Sequence, residues 1–330
     1  MGSPRPGDRR GGPRPRRRGG PARRGKPRGR APARGETRRR ALTDAVNRQP
    51  AAGSHEPVVE IHPDPEAASR AAAERIVAAL AGAVEARGRA DWATTGGSTP
   101  LPIYRLLAAK PFRDRVPWDR VHVWWGDDRF VPRDHPLSNV LPLDQVLLTM
   151  SGPAGMSGWG ADEALTESGV VRGAPLPPGA IHPIPMGDAI QAGAGPSAAA
   201  AAYEAELRAA GLPVAPSGFP VFALVLLGVG PDGHVLSVFP DSPLLEASSW
   251  VAGVPAPKHV EPHVERVSLN PGVIAASSQP IVVIHGAAKA EIVAAVLGPE
   301  RDPRRWPAQL ARREGAVWIL DRAAAAKLPA

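Results

Sequence analysis

The segment VFALVLLGVGPDGH, residues 221–234, joins an apolar run to a loop rich in glycine. An apolar run of this length that stops at glycine is typical of a buried strand in an α/β sheet. The glycines Gly228, Gly230 and Gly233 are spaced as G-x-G-x-x-G, which also occurs in dinucleotide-binding folds. The segment therefore leaves two alternatives, which are a dinucleotide cradle and a loop that presents His234 for chemistry.

The chain after these glycines argues against a dinucleotide site. Such a site needs a regular helix after the glycines and an acidic residue about 20 positions further on. The chain continues as HVLSVFPDSPLL, residues 234–245, in which Pro240 and Pro243 interrupt a helix. The glycines then form a tight loop that presents Asp232 and His234 at the strand end. His234 can act there as a general base near neutral pH, or it can cap the turn as a structural histidine.

Three other segments share the pattern of an apolar strand that ends at glycine and is followed at once by polar residues. They are ADWATTGGSTP (90–100), RVHVWWGDDRF (120–130) and PIVVIHGAAK (280–289). Helical stretches follow the first and the last of them. This alternation predicts an α/β fold with a mainly parallel sheet flanked by helices. Because the carboxyl ends of parallel strands lie on one edge, we expect the four loops to converge there.

The loop after the first of these strands has the features of a phosphate site. Gly96 and Gly97 allow the backbone to approach a ligand closely, and Ser98 and Thr99 supply hydroxyl groups. Pro100 suits the first position of a helix that Thr99 caps. The N-terminus of such a helix binds phosphate, although an ordinary capped turn explains the residues equally well.

Charged residues follow the other two strands. Adjacent residues on a strand point to opposite faces, so Asp127 and Asp128 form a catalytic pair only if the chain turns at Gly126. Arg129 can bind a carboxylate or phosphate through two parallel hydrogen bonds, or it can form an ordinary surface ion pair. Lys289 stands in the first turn of a predicted helix, where the helix dipole disfavours a cation and a bound anion would compensate.

The remaining histidines give weaker indications. His259 and His263 are four residues apart, as in helical metal sites, but Pro262 between them argues against a helix. We therefore expect no metal there. His285 is interpreted as a packing residue.

The chain from residue 54 onward is predicted to form one domain. Asp64 and Pro65 mark the start of an amphipathic helix that runs to Gly88, and a second helical stretch ends at Gly211. Residues 151–180 are rich in Gly, Pro and Ser and are predicted to be a long loop or insertion. Residues 254–271 form a further predicted loop, long enough to cover a site.

The net charge of +8 belongs to the N-terminal tail. Residues 1–53 contain 17 Lys and Arg against three acidic residues, whereas residues 54–330 contain 23 against 29. The tail is rich in Arg, Pro and Gly and is predicted to be disordered. A solvated extension, or sequence translated upstream of the true start, is the favoured interpretation. An arginine-rich arm can also bind nucleic acid or anionic lipid, but the tail has no aromatic residue for base stacking, and we expect no nucleic-acid partner.

Composition excludes several further classes of protein. The chain contains no cysteine, so disulfides, thiolate metal sites and a cysteine nucleophile are impossible. Its longest apolar stretch, Val221 to Val229, is too short to span a bilayer, and no apolar segment follows the basic N-terminus. We therefore expect a soluble, cytoplasmic protein without membrane contact. The oligomeric state is not predicted.

Five motifs together indicate a family. TTGGSTP, GDDRFVPRDHPLSN, GVGPDGHVLSVFP, RVSLNP and GAAK, in this order, resemble the 6-phosphogluconolactonase family within the wider glucosamine-6-phosphate isomerase/lactonase superfamily. The similarity covers about residues 56–322. It implies a modified Rossmann-like α/β fold and hydrolysis of 6-phosphogluconolactone in the oxidative pentose phosphate pathway, with no cofactor.

The resemblance also implies roles for individual residues. His234 would be the general base that activates water, Asp232 would orient it, and Arg129 would bind substrate and steady the developing oxyanion. The residues expected to bind substrate or hold its phosphate are Gly96, Gly97, Ser98, Thr99, Arg266 and Lys289. Asn139 and Asp127 would contact sugar hydroxyls. The chain departs from the family pattern at Asp128, where Glu is usual, and at Val235, where a hydroxyl residue is common.

Two alternatives remain. Glucosamine-6-phosphate isomerases/deaminases carry a glutamate five residues after the histidine, where this chain has Phe239. A ring-opening acid is therefore missing, which favours the lactonase. A non-catalytic sugar-phosphate-binding protein would keep the phosphate ligands but would not need His234.

Overall fold

The computed structural model describes residues 55–148 and 173–329, together with the backbone of residues 46–48. Apart from those three residues, the predicted tail 1–53 lies outside the described residues. So do positions 151–172 of the predicted long loop. The described end of that loop, residues 173–180, finishes in a short 3-10 helix over Pro178–Ala180.

The described residues form eleven strands and seven α-helices. In chain order the strands are β1 (Val46–Arg48), β2 (Val58–His62), β3 (Ala90–Thr94), β4 (Val121–Trp125), β5 (Asp127–Arg129), β6 (Ile181–His182), β7 (Leu224–Leu227), β8 (Val251–Val254), β9 (Arg266–Leu269), β10 (Gln279–Ile284) and β11 (Val317–Asp321). The helices are α1 (Pro65–Arg87), α2 (Pro100–Ala108), α3 (Leu141–Val146), α4 (Met186–Gln191), α5 (Pro196–Ala209), α6 (Gly272–Ala276) and α7 (Ala290–Leu297).

Eight of these strands form the main sheet, in the order β1-β2-β11-β10-β7-β3-β4-β6. All neighbours are parallel except β1 and β2, which pair antiparallel. Strands β3, β7 and β11 are buried along their whole length, as expected of parallel strands covered on both faces. The predicted α/β fold with a mainly parallel sheet flanked by helices is confirmed.

Helix α1 shows why the sequence pattern located its ends correctly. The side chain of Asp64 accepts a hydrogen bond from the backbone N–H of Ala67 at 2.8 Å, and Pro65 occupies the first turn. Gly88, with φ +73°, ends the helix in the left-handed conformation that favours glycine.

A second, three-stranded antiparallel sheet has the order β5-β9-β8. The loop between its strands β8 and β9 consists of residues 255–265. It is therefore shorter than the predicted loop 254–271, of which residues 254 and 266–269 belong to the two strands. Gly126 marks the passage from β4 of the main sheet to β5. Its N–H donates to the carbonyl of Thr94 and its carbonyl accepts from Leu269, both at 2.8 Å.

The predicted convergence of the four loops is confirmed by the strand order. Strands β10, β7, β3 and β4 are adjacent in the sheet, and the glycine-rich loops leave their carboxyl ends. Strand β4 follows β3 in the chain and lies on one side of it in the sheet. Strand β7 lies on the other side of β3, and the next strand of the main sheet after it, β10, lies further away on that side. Ligands of open α/β sheets bind where the connections diverge in this way.

None of the helices in residues 55–148 and 173–329 is long and apolar enough to cross a bilayer.

Candidate active site

The loop after β7 forms the tight turn that its glycines predict. The N–H of Gly233 donates to the carbonyl of Gly230 at 3.1 Å, and the N–H of Gly230 donates to the carbonyl of His234 at 2.9 Å. Gly233 has φ +84°, which favours glycine. A Cβ atom at Gly230 would overlap the imidazole of His234. Gly230 and Gly233 therefore shape the place that the histidine ring occupies.

His234 is paired with Asp232. Its Nδ1 atom lies 2.5 Å from Oδ1 of the carboxylate. Because an ionised carboxylate only accepts hydrogen bonds, Nδ1 carries a proton, and in the neutral imidazole Nε2 keeps the free lone pair. Among the described residues, none is hydrogen-bonded to Nε2. This is the tautomer that a histidine needs to take a proton from water.

Asp232 accepts hydrogen bonds on both oxygens. Its Oδ2 atom lies 2.8 Å from Nε2 of His259, which comes from the loop between β8 and β9. Burial by itself raises the pKa of Asp232, but hydrogen bonds and charge from His234, with the hydrogen bond from His259, outweigh it. The pKa of Asp232 is therefore well below its ordinary value, and the side chain stays ionised.

The two neighbouring aspartates of β5 have different partners. Oδ1 of Asp128 accepts the backbone N–H groups of Arg129 at 2.7 Å and Asn139 at 2.6 Å, and Oδ2 accepts the hydroxyl of Ser138 at 3.1 Å. Oδ2 of Asp127 instead accepts the hydroxyl of Ser237 at 2.6 Å. The two carboxylates are therefore not a catalytic pair.

Asn139 joins the loop after β3 to strand β5. Its Nδ2 donates to the carbonyl of Asp127 at 2.9 Å, and a Cβ atom at Gly96 would overlap its amide group. Asp127 and Asn139 are buried, at 4% and 3% exposure. Asp127 also accepts the hydroxyl of Ser237, which lies three residues after His234. Asn139 and Asp127 therefore connect Gly96 to the loop of His234 through a continuous set of contacts.

Arg129 and Arg266 lie directly opposite each other on the antiparallel strands β5 and β9. Nη1 of Arg129 donates to the carbonyl of Leu137 at 2.8 Å, and Nη2 of Arg266 donates to that of Pro262 at 3.0 Å. The Nε atom of each arginine is buried without a partner among the described residues. Burial lowers the pKa of Arg266, the charge of Asp127 opposes this effect in part, and the charge of Arg129 adds to it. Like charges opposed in this way destabilise a sheet, so the pair favours a bound anion.

Lys289 lies at the N-terminus of α7, as predicted, and connects two of the loops. Its Nζ atom donates to the carbonyl of Val229 at 2.7 Å, beside the loop of His234. Burial lowers the pKa of Lys289, and the negative charge of Asp232 opposes this effect. A cation is thus held beside Asp232 and the end of β7.

The loop after β3 leaves two hydroxyl residues at the start of α2. Gly97 has φ +85°, and a Cβ atom there would meet nothing within 4 Å. Ser98 is exposed. Thr99 occupies the N-cap position, but its side chain makes no capping hydrogen bond, because its φ and ψ of −63° and −45° are already helical. Thr99 therefore stands at the N-cap and Pro100 at the start of the helix as predicted, but the expected capping hydrogen bond from the Thr99 hydroxyl is absent.

The other histidines do not form a metal site. Within the described residues, no group of three or more His, Asp or Glu side chains is arranged to hold a metal ion. Nδ1 of His263 lies 2.7 Å from the carbonyl of Pro257, and its Nε2 lies 3.0 Å from Glu261. Burial lowers the pKa of His285, whose Nε2 has no partner in the part of the chain that the structure describes.

Three residues near His234 were not predicted to take part in the site as they do. The hydroxyl of Ser237 donates a hydrogen bond to Asp127, and Nε2 of His259 donates one to Asp232. Phe239 packs against three side chains of the site, with its ring centroid 4.7 Å from that of His234, 5.8 Å from that of His259 and 5.4 Å from Cζ of Arg266. The position of Ser237, three residues after His234, could have indicated that it lies near the site. Nothing in the sequence indicated that His259 contacts Asp232.

Comparison with known proteins gives consistent results. Residues 63–319 match the family model of glucosamine-6-phosphate isomerases/6-phosphogluconolactonase. The chain is similar to 6-phosphogluconolactonases of Mycobacterium tuberculosis, 35% identical over 82% of this chain and 98% of the relative, and of Streptomyces coelicolor, 34% identical over 84% and 96%. It is also similar to the structure of 6-phosphogluconolactonase from Trypanosoma brucei, with a TM-score of 0.66 and 26% identity over 84% of this chain and all of that one.

Proposed function

The chain belongs to the glucosamine-6-phosphate isomerase/6-phosphogluconolactonase family, and on this premise we propose that it hydrolyses 6-phospho-D-glucono-1,5-lactone to 6-phospho-D-gluconate. It is a lactone-hydrolysing enzyme of the oxidative pentose phosphate pathway. The observation that carries the assignment is its similarity to 6-phosphogluconolactonases over nearly their whole length. The pairing of His234 with Asp232 supports the assignment chemically.

We assign the base to Nε2 of His234. A water molecule gives its proton to Nε2 and its oxygen attacks the lactone carbonyl carbon, which forms a tetrahedral oxyanion. The bond from this carbon to the ring oxygen then breaks, and the imidazolium returns its proton to the ring oxygen. Asp232 stabilises the imidazolium and keeps the proton on Nδ1. No covalent nucleophile is needed, because the lactone is an activated ester.

Three cationic side chains bind the negatively charged parts of the substrate and of the transition state. Arg129 steadies the oxyanion, and Arg266 and Lys289 bind the phosphate together with the start of α2 at Gly97, Ser98 and Thr99. The unpartnered Nε atoms of the opposed arginines support an anionic ligand. Lys289 supports the same conclusion, because the start of a helix disfavours a cation, and an anionic ligand would compensate for this together with the charge of Asp232.

Phe239 argues against the isomerase/deaminase alternative. That chemistry needs a carboxylic acid at this position, whereas here an aromatic ring packs against His234 and beneath the guanidinium of Arg266. The position therefore supplies no proton for ring opening.

The test separates the two reactions. The lactone is generated in situ from glucose 6-phosphate and its decay is compared with the spontaneous rate, while ammonia release is measured with glucosamine 6-phosphate. We expect accelerated lactone decay and no ammonia. Ammonia release with unaccelerated lactone decay would overturn the proposal.

The catalytic domain in this proposal is residues 54–330, and the basic residues 1–53 take no part in the reaction. We place the reaction in the cytoplasm, where a sugar phosphate is available and a chain without cysteine is at no disadvantage.

A further inference from the structure

The carboxylate of Asp232 is shared by two imidazoles, and the mechanism above uses one of them. Oδ1 faces Nδ1 of His234 at 2.5 Å, and Oδ2 faces Nε2 of His259 at 2.8 Å. An ionised carboxylate only accepts, so Nε2 of His259 carries a proton and donates it. The two rings also meet the same aromatic side chain, Phe239.

The side chain of His259 is 53% exposed. It still contacts Asp232, because hydrogen bonds fix the loop before and after this residue. Nδ1 of His263 donates to the carbonyl of Pro257, at 2.7 Å, and Arg266 donates to that of Pro262, at 3.0 Å. The N–H of Phe130 donates to the carbonyl of Glu265, at 2.8 Å. The loop between β8 and β9 is thereby fixed to the same sheet that carries the opposed arginines.

Oδ1 of Asp232 also accepts the backbone N–H of His234 at 3.2 Å. A carboxylate held through this one oxygen alone can still turn about its last torsion, which has a broad energy minimum. The charge of Asp232 raises the pKa of two cations of the site, Lys289 and Arg266. Pairing with either cation would draw Oδ1 away from His234. It would also engage a positive charge that the phosphate requires. A donor on Oδ2 prevents both outcomes without adding a further fixed cation.

We propose that His259 is a positioning residue for the lactonase reaction, which fixes the Asp232 carboxylate so that Oδ1 stays on Nδ1 of His234. This inference rests on the proposed function. His259 acts through Asp232, so its removal lowers kcat and leaves KM nearly unchanged.

Two substitutions test the donor. His259→Gln keeps an N–H group at the place of Nε2, whereas His259→Leu keeps a similar bulk and removes the donor. We expect His259→Leu to lower kcat about tenfold, the rate equivalent of one hydrogen bond to a charged group, and His259→Gln to stay within about threefold of wild type. Equal losses in the two variants would overturn the proposal.

A double-mutant comparison separates positioning from a general effect on the loop. In the Asp232→Ala background, His259→Leu is expected to change kcat by less than about twofold, because the carboxylate that it holds is gone. A loss that is again about tenfold would show that His259 supports the loop alone and would contradict the inference.

Proton NMR of the resting enzyme gives a readout that needs no substrate. The Nδ1–H resonance of His234 is expected far downfield, to persist in His259→Gln and to shift or broaden in His259→Leu. An unchanged resonance in His259→Leu would overturn the inference. A wild-type chain that does not hydrolyse the lactone would overturn the proposed function as well, whereas an active wild type with an unaffected His259→Leu variant would overturn this inference alone.

Discussion

The imidazole of His234 occupies the space in which a side chain at Gly230 would begin. A Cβ atom at Gly230 would overlap the ring, whereas a Cβ atom at Gly228 would meet nothing within 4 Å. The three glycines of the motif thus differ in purpose. Gly230 makes room for the base, and Gly233 supplies a positive φ for the turn.

Gly230→Ala is expected to displace the ring and lower kcat/KM about 100-fold, since small misplacements of a catalytic group have effects of this size. Gly228→Ala is the matched control and should stay within a few-fold of wild type. Lactone decay measures the rates, and circular dichroism checks that both variants are folded. Similar activities in the two variants would contradict the role assigned to Gly230.

The parts of the site that the sequence predicts are those that depend on local pattern. Each glycine-rich loop follows an apolar strand, so a parallel sheet was enough to bring Lys289, His234 and Gly96 to one edge. Asp232 and His234 are two residues apart in a glycine turn that was predicted to present both at the strand end, whereas their pairing was implied by the family resemblance. The failed capping by Thr99 depends on a backbone angle that the residue type does not determine.

The contacts that the sequence does not predict join distant segments. Arg129 meets Arg266 through the register of a second sheet, whose strands are too short to carry a periodic signal. His259 meets Asp232 because hydrogen bonds fix the path of residues 255–265. Such a path depends on tertiary contacts. The sequence offered only the spacing of His259 and His263, from which no metal site was expected because Pro262 lies between them.

Phosphate recognition is tested with paired substrates. Arg266→Gln and Lys289→Met are each expected to raise KM for the phosphorylated lactone about 10-fold to 100-fold, which corresponds to one lost hydrogen bond between charged groups. The KM of unphosphorylated gluconolactone should change less than about twofold.

Arg120→Gln is the control for a simple change of net charge, because Arg120 directly precedes β4, at the end of the strand opposite to the site. It should leave both KM values unchanged. Equal effects of Arg266→Gln on the two lactones would contradict phosphate binding by this residue.

The stability of the chain should depend on pH through Asp128. Burial raises the pKa of Asp128 to about 7, although its hydrogen bonds lower it in part. Between about pH 4 and pH 7 the folded chain keeps this proton and the unfolded chain does not, so the stabilisation is present at low pH and is lost as pH rises through 7.

Asp128→Asn removes the titration and keeps an acceptor of the same shape. We expect the free energy of unfolding of wild type, relative to this variant, to fall by roughly 2–4 kcal/mol from about pH 4 to pH 8. Urea unfolding at several pH values measures the difference. A difference that is constant across this range would refute the assignment to Asp128.

The central claim is that His234, oriented by Asp232, activates water for attack on the lactone. The most direct measurement is kcat/KM for 6-phosphogluconolactone hydrolysis by wild type and by His234→Ala, after correction for spontaneous decay. We predict a loss of about 10²–10⁴-fold in a folded variant that still binds the product, 6-phosphogluconate. A folded His234→Ala variant that hydrolyses the lactone at the wild-type rate would contradict the account.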